Sequence, residues 1–314
     1  MFQATRYRFV RLVACAVSLS ASVALVLGVT SDPSSAPASA ATPVAMPPAI
    51  CTPPEVLTAT PATPATTSAI PVAADAEIAA QITTAVANLI ACWNDAAWEP
   101  SVALVTDGYL QATTGTADRA AVVALLQRLT AAGLTVSASL DSVDDVRSRG
   151  AGFSSVEVVW SHGNALKHER WHFVAVQGTW LLDETESLEP AVTGNAVGIG
   201  ATIDRVRLQL SREQLVSPGI VVIHVRNQSA ESTSLTVFRS PSAAELRERL
   251  AGLVARTGES VLVGDLVIPA GEEADLVLIG LSADVYTVVA GLHDTGGTLQ
   301  VRDPFSATLN VATS

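Results

Sequence analysis

The spacing of apolar positions changes twice along the chain. Over residues 75–133 apolar side chains recur every three or four positions, which is the period of an amphipathic helix. After Gly133 they alternate with polar side chains, as in a strand that buries one face. A glycine-containing stretch at 190–201, expected to be a linker, interrupts this alternation, which resumes near Ile203. The pattern predicts helices followed by an antiparallel sheet, and then a second part made almost wholly of strands.

Three helices are expected in the first part. The first spans residues 75–93, and Asn94 or Asp95 can cap a second helix that ends at residues 107–108. Asp118 opens the third.

Two segments of the first part carry a family resemblance. CWNDAAWEPSVALVTDGYL begins at Cys92 and precedes a helix, and HFVAVQGTWLLDE closes the sheet through a hairpin at Gln177-Gly178. This order resembles the NTF2-like superfamily, the cone-shaped α+β fold of SnoaL-type proteins and ketosteroid isomerase, over residues 75–189. The resemblance implies helices on a curved antiparallel sheet, around a pocket that holds a ligand, a catalytic carboxylate or only side chains.

The strands after residue 201 resemble a second family. Pro218-Gly219 leads into IVVIHVRN, and PAGEEADLVLIGLSADVYTVVAG forms a hairpin that ends at Gly291. The order resembles the cupredoxins and implies an all-β cupredoxin-like sandwich over residues 202–314, with about seven strands.

The cupredoxin resemblance also indicates where copper ligands would stand. In the family these are a histidine after the first turn, a cysteine, a histidine three residues later and usually a methionine. The corresponding places here are residues 231–234, Ala290, His293 and residues 296–298. A blue copper site requires the thiolate, so the resemblance implies a sandwich without copper and argues against an electron carrier.

The first 74 residues differ in composition from the rest. Arginines at positions 6, 8 and 11 precede an uncharged run over residues 12–30, which is the layout of an export signal. Residues 1–40 are expected to be a cleaved export signal or a retained N-terminal anchor. Residues 41–74, rich in Ala, Pro and Thr, are expected to be a disordered linker. The expected location is extracytoplasmic, either secreted or anchored by the N-terminal hydrophobic segment.

Charge limits the expected partners. The 314-residue chain has a formal net charge of −12. Such a chain repels phosphate groups, so neither a nucleic acid nor an anionic lipid surface is an expected partner. A membrane is expected to be contacted only through the N-terminal segment, if that segment is not cleaved.

Two of the three cysteines, Cys51 and Cys92, follow the predicted export segment. In an oxidising compartment they predict one disulfide. It would close a loop of about 40 residues and contribute about 3 to 4 kcal/mol. The alternative is two separate thiols, with Cys92 buried in its helix.

All five tryptophans lie in the predicted NTF2-like domain and, with one tyrosine, form a candidate ligand pocket. The candidates are Trp93, Trp98, Tyr109, Trp160, Trp171 and Trp180. The alternative is that the tryptophans only pack as core. A catalytic base would need a desolvated carboxylate facing the pocket. Asp95, Glu157, Asp183 and Glu184 are candidates by residue type, and none is singled out by its neighbours.

Three histidines, His162, His168 and His172, suggest a metal site with Glu169. Four residues of strand, however, separate two Cα atoms by about 13 Å. His168 and His172 therefore cannot form a close ligand pair. A half-exposed polar face carrying His168, Arg170 and His172 is expected instead, and no metal.

These observations predict an exported two-domain binding or interaction protein, with an α+β NTF2-like cone followed by an all-β cupredoxin-like sandwich. It is expected to have no catalytic residues and no cofactor, and its expected partner is an unknown small apolar ligand or a protein. The alternative is an NTF2-like enzyme of the isomerase or cyclase type that uses a pocket carboxylate.

Overall fold

The computed structural model describes most of the chain after residue 70. The described residues are 51–52, 71–131, 135–150, 152–189, 192, 194–216, 219–240, 242–244, 246, 262–291 and 303–313. The predicted export segment at 1–40, residues 41–50 and 53–70 of the predicted linker, and His293 lie outside these ranges.

A layer of helices comes first in the described structure. It consists of α1 (Ala76–Asn94), α2 (Trp98–Ala103), α3 (Asp107–Thr114) and α4 (Arg119–Ala131). Helix α1 begins as predicted, because the Asp75 side chain accepts a hydrogen bond from the Ile78 N–H at 2.9 Å. The predicted end of the second helix at 107–108 is wrong. The Thr106 hydroxyl accepts a hydrogen bond from the Tyr109 N–H at 3.0 Å, so these residues open α3 instead.

The helices pack on an antiparallel sheet. Its strands are β2 (Ala138–Ser148), β3 (Phe153–His162), β4 (Ala165–Val176) and β5 (Thr179–Ser187). The predicted hairpin between β4 and β5 is confirmed, and Gln177 and Gly178 both have the positive φ that a type I′ turn needs. Side chains from both layers, among them Ile82, Val158 and Leu182, form a common core.

The rest of the described chain forms two facing sheets. The strands are β6 (Ala196–Ile203), β7 (Leu208–Leu210), β8 (Gln214–Val216), β9 (Ile220–Asn227), β10 (Thr233–Arg239), β11 (Leu262–Ile268), β12 (Glu273–Ile279), β13 (Asp284–Gly291) and β14 (Ser306–Ala312). One sheet has the order β12-β9-β6-β7 and the other β11-β10-β13-β14-β8. Ile223, Tyr286 and Leu309 are fully buried in the core they share. The described structure is therefore mostly β and sandwich-like, with a few helices.

Both predicted linkers are strand in part. The stretch 190–201 contains the start of β6, which pairs in parallel with β9. Gly198 and Gly200 lie on the outer face of this strand, whereas Ile199 and Ala201 are buried on the inner face. At the end of the 41–74 segment, β1 (Val72–Ala73) pairs with the edge of β2.

The two parts of the chain share one continuous sheet. Ala165 and Leu166 of β4 pair with β12, which joins the first sheet to the sandwich. Beside this pairing, the Asn164 side chain donates a hydrogen bond to the Ile279 carbonyl at 2.7 Å, and the Asn164 N–H donates to the Val263 carbonyl at 2.8 Å. Backbone pairing and hydrogen bonds therefore join the two parts at this junction.

The predicted disulfide is confirmed. Cys51 and Cys92 are bonded, with their Cα atoms 4.5 Å apart. The Asn88 side chain accepts a hydrogen bond from the Thr52 N–H at 2.8 Å and donates one to the Thr52 carbonyl at 3.0 Å. These contacts fix residues 51–52 against α1.

Among the helices in the described ranges, α1 is long and apolar enough to cross a membrane by length and composition. A core helix meets the same criterion. Ile82, Val86 and Leu89 of α1 are buried in the core against the sheet.

We expect Gly264→Ala to lower the free energy of unfolding by about 1 to 3 kcal/mol. A Cβ at Gly264 would lie 2.7 Å from the Ala165 Cβ and 2.9 Å from the Leu278 Cδ2, at the junction of the two parts. Chemical denaturation measures the change. Gly219→Ala is the matched control, because nothing lies within 4 Å of its Cβ position. Equal stability of the two variants would contradict the close packing at the junction.

Removing the disulfide by replacing both Cys51 and Cys92 with alanine is expected to lower the free energy of unfolding by about 4 kcal/mol. This is the chain-entropy value for a sequence separation of 41. Urea denaturation of the oxidised wild type and the double variant measures it. An unchanged midpoint would show that the bridge does not constrain the unfolded chain.

Candidate functional site

The candidate site lies where one edge of β4 changes partners. The edge pairs with β12 at Leu166 and with β5 from Glu169 onward. We call this point, between Leu166 and Glu169, the β4 fork. Since β5 and β12 diverge there, they leave a pocket of about 110 Å³ that is lined by both parts of the chain.

Three tryptophans line the pocket from the first part. Trp93 comes from α1, Trp160 from β3 and Trp171 from β4, and their ring centroids are 5.5 to 5.8 Å apart in tilted or edge-to-face arrangements. Aromatic pairs are favourable at this spacing. Each side chain is almost fully buried. The tryptophans are thus core residues that also border the pocket.

A buried carboxylate stands against this cluster. Glu169 is 9% exposed and lines the pocket. Its Oε2 accepts hydrogen bonds from Trp160 Nε1 at 3.1 Å and from Trp171 Nε1 at 2.9 Å. Both donors are neutral indole N–H groups. The hydrogen bonds therefore orient the carboxylate but do not provide a positive charge to pair with it.

Sequence reasoning missed Glu169 as the carboxylate of the site, although a signal was present. Successive strand residues point to opposite faces, so Glu169 shares a face with Trp171 and Phe173. Both of these side chains are buried. The face that carries the aromatic residues of β4 therefore also carries this carboxylate.

The remaining lining of the pocket is largely polar. Lys167 Nζ donates a hydrogen bond to the Asp265 carbonyl at 2.6 Å and lies 3.9 Å from Asp265 Oδ1. His162 Nδ1 lies 3.5 Å from the same Oδ1. Asp275 Oδ1, on β12, lies 2.8 Å from His224 Nδ1. Carboxylates therefore outnumber ammonium groups in the lining.

The structure brings together four of the six aromatic residues proposed for a pocket. Trp93, Tyr109, Trp160 and Trp171 all line the pocket at the β4 fork. Trp98 instead lines a smaller apolar space of about 40 Å³ between α2, α3 and α4, which also touches Trp93 and Tyr109. Trp180 borders neither space, and its Nε1 donates to a glutamine side chain on α1 at 2.9 Å.

The four carboxylates considered as candidate bases lie away from the pocket lining. Asp183 accepts a hydrogen bond from a threonine hydroxyl at 2.7 Å. Glu157 pairs with Arg170 Nη2 at 2.5 Å. Asp95 and Glu184 are exposed.

The polar face predicted for His168, Arg170 and His172 is confirmed. All three side chains are partly exposed, and Arg170 bridges Glu157 and Glu186. The hydrogen bond with Glu157 raises the pKa of the Arg170 guanidinium above its usual value. Within the described ranges, no three His, Cys, Asp or Glu side chains are grouped so as to hold a metal ion.

The corner that holds copper in cupredoxins carries hydroxyl and methyl groups here. The Thr233 and Ser234 hydroxyls each donate a hydrogen bond to the Gly291 carbonyl at 3.2 Å. Ala290, at the thiolate place, is buried beside them. This donor set contains neither imidazole nor thiolate and does not fit a blue copper centre. His293 lies outside the described residues.

No family model matches the chain, and no curated protein matches it. Among solved structures, it is similar to dithionite-reduced auracyanin from Roseiflexus castenholzii, at 12% identity over 38% of this chain and 99% of that one, with a TM-score of 0.26. Auracyanin A from Chloroflexus aurantiacus, a blue copper protein, matches at 15% identity over 37% of this chain and 99% of its own, with a TM-score of 0.27. A multicopper oxidase from Campylobacter jejuni matches at 12% identity, over 56% of this chain and 49% of its own, with a TM-score of 0.25. The auracyanins are cupredoxins.

Acidification is expected to destabilise the protein through His172. Burial, followed by the positive charge of Arg149, lowers the pKa of this imidazole. The unfolded state therefore binds a proton more readily than the folded state. The stability linked to His172 is complete above the ordinary pKa of about 6.5 and is lost as the pH falls from there toward the lowered pKa of the folded state.

This dependence can be measured from denaturation midpoints between about pH 8 and pH 5. The midpoint should fall less steeply for His172→Gln than for the wild type. Equal slopes for His172→Gln and the wild type would contradict the assignment.

Proposed function

We propose that this protein is an exported, non-enzymatic binding protein that holds a small ligand in the pocket at the β4 fork. In this proposal, residues 75–189 form an NTF2-like domain, and the sandwich that follows is a cupredoxin-like domain that lacks the copper ligands. The N-terminal segment directs the folded part out of the cytoplasm and is then cleaved or kept as an anchor.

The observation that carries this proposal is the pocket itself. Aromatic side chains and one buried carboxylate border a space of about 110 Å³ that both parts of the chain line. An engineered cavity of about 150 Å³ in another protein accepts benzene. The space therefore suits a ligand of a few heavy atoms, whereas drug-sized ligands occupy pockets of about 300 Å³ or more.

Two structural features support the assignment of the two domains. Helices packed on one antiparallel sheet agree with an NTF2-like arrangement for the first part. Two facing sheets with strand orders β12-β9-β6-β7 and β11-β10-β13-β14-β8 agree with a cupredoxin-like sandwich for the second. The Thr233, Ser234 and Ala290 corner favours a binding or structural role over electron transfer.

A second candidate function rests on Glu169. A buried carboxylate beside an aromatic pocket is also the arrangement of a general base, as in an isomerase or cyclase. Against this role, two indole N–H groups already hold Oε2 of the carboxylate. An enzyme of this type would lose turnover in Glu169→Gln while still binding its ligand, whereas a binding protein shows no turnover to lose.

We expect native mass spectrometry of the protein, secreted by its own host, to show a co-purifying small molecule. Trp160→Phe should retain less of it, because the variant loses pocket wall and the N–H that orients Glu169. Trp180→Phe is the matched control, since Trp180 hydrogen bonds to Gln81 outside the pocket. Finding only the ligand-free mass for the wild type, or equal retention by both variants, would contradict the proposal.

A further inference from the structure

We propose that the ligand of the pocket at the β4 fork is a small organic cation, an alkylated or primary ammonium compound, and that Glu169 is its counter-charge. This inference rests on the proposed binding function and specifies its ligand. Three features support a cation: the charge of Glu169, the aromatic wall and the charge of the remaining lining.

Glu169 is a buried negative charge without a cationic partner close by on its strand. Burying a carboxylate is costly unless a positive group pairs with it. The two cationic neighbours of Glu169 along β4 are engaged elsewhere, Lys167 with Asp265 and Arg170 with carboxylates on the outer face. The hydrogen bonds from Trp160 and Trp171 supply neutral donors. A cation in the pocket would provide the missing positive charge.

The wall of the pocket also suits a cation of this kind. Aromatic rings attract alkylated ammonium groups through their negative faces and provide apolar contact for the alkyl groups. Trp93, Tyr109, Trp160 and Trp171 line the same space as Glu169. A carboxylate combined with aromatic walls is the chemistry that recognises an organic ammonium ion.

The rest of the lining disfavours an anion. Asp265 and Asp275 join Glu169, and Lys167 is held by Asp265 through both its carbonyl and its carboxylate. The chain as a whole carries a net charge of −12. A cleft with this excess of negative charge concentrates cations and repels anions.

A bare divalent metal ion fits less well than an organic cation. Calcium takes six to eight oxygen ligands, and magnesium demands an octahedral set. One oxygen of Glu169 is already held by two N–H donors, and the described residues contain no group of three potential metal ligands.

The test compares three tetrahedral probes of similar shape: tetramethylammonium, neutral tert-butanol and the anion pivalate. Each is titrated into the full exported protein, with tryptophan fluorescence and calorimetry as readouts. We expect saturable binding of tetramethylammonium, and no saturation with the other two probes at the same concentrations.

Glu169→Gln should weaken tetramethylammonium binding at least tenfold, since it removes the charge but keeps an oxygen that accepts the indole N–H bonds. Glu186→Gln, the same charge change at a side chain that is 55% exposed on the outer face, should bind within twofold of the wild type. Because this control makes the same change in net charge, it separates a local pairing from a general electrostatic effect.

Three outcomes overturn the inference: no binding of tetramethylammonium, equal binding of tert-butanol, or unchanged affinity in Glu169→Gln. If tert-butanol binds saturably and Trp160→Phe weakens that binding, the binding function stands and only the cation inference fails. If no probe binds and native mass spectrometry finds no ligand, both fail together.

Discussion

The arrangement of this molecule depends on a single edge of β4 that is shared by two strands. Strand β4 has 12 residues, of which the first two pair with β12 and those from Glu169 onward pair with β5. Two strands cannot occupy the same stretch of edge, so they diverge and a gap remains between them. The same pairing joins the helical part to the sandwich in one sheet. The pocket is therefore built into the junction between the two parts, and neither part would form it alone.

The close approach at this junction explains the small residues found there. Gly163 has a φ of +61°, and a Cβ on it would lie 2.9 Å from the Val263 carbonyl oxygen. Gly264 faces Ala165 at a distance that leaves no room for a side chain. On the inner face of the sheet, Val158 lies opposite Glu169 in the strand register, so Trp160 is diagonal to the carboxylate on β3 and Trp171 follows it two residues along β4. The pairing of β3 with β4 thus brings the only buried carboxylate of the pocket lining, among the described residues, to the indole N–H groups.

Hydrogen bonds between neutral groups hold one corner of the sandwich together. Asn227 is buried, and its side-chain N–H groups donate to the carbonyls of Glu231, Ile268 and Pro269, which ties the turn after β9 to the turn before β12. The Thr233 and Ser234 hydroxyls donate hydrogen bonds to the Gly291 carbonyl. The corner is held by ordinary hydrogen bonds between neutral groups.

Features that depend on residues close together in the chain can be predicted from the sequence alone. The spacing of apolar residues changes from every three or four positions to every second position, and this change distinguishes the helices from the strands. Asp75 marks the start of α1. Ala290, at the place of the cysteine ligand in the cupredoxin resemblance, argues against copper from the sequence alone. The Cys51 and Cys92 pair was predicted from compartment and number alone, and is present. The tertiary structure decided which strands share an edge, that β6 begins inside the expected linker, and that Glu169 is the carboxylate at the pocket. Periodicity is set by bonds between residues close in sequence, whereas the choice of a strand partner depends on contacts between residues about 110 positions apart, such as Leu166 and Val277.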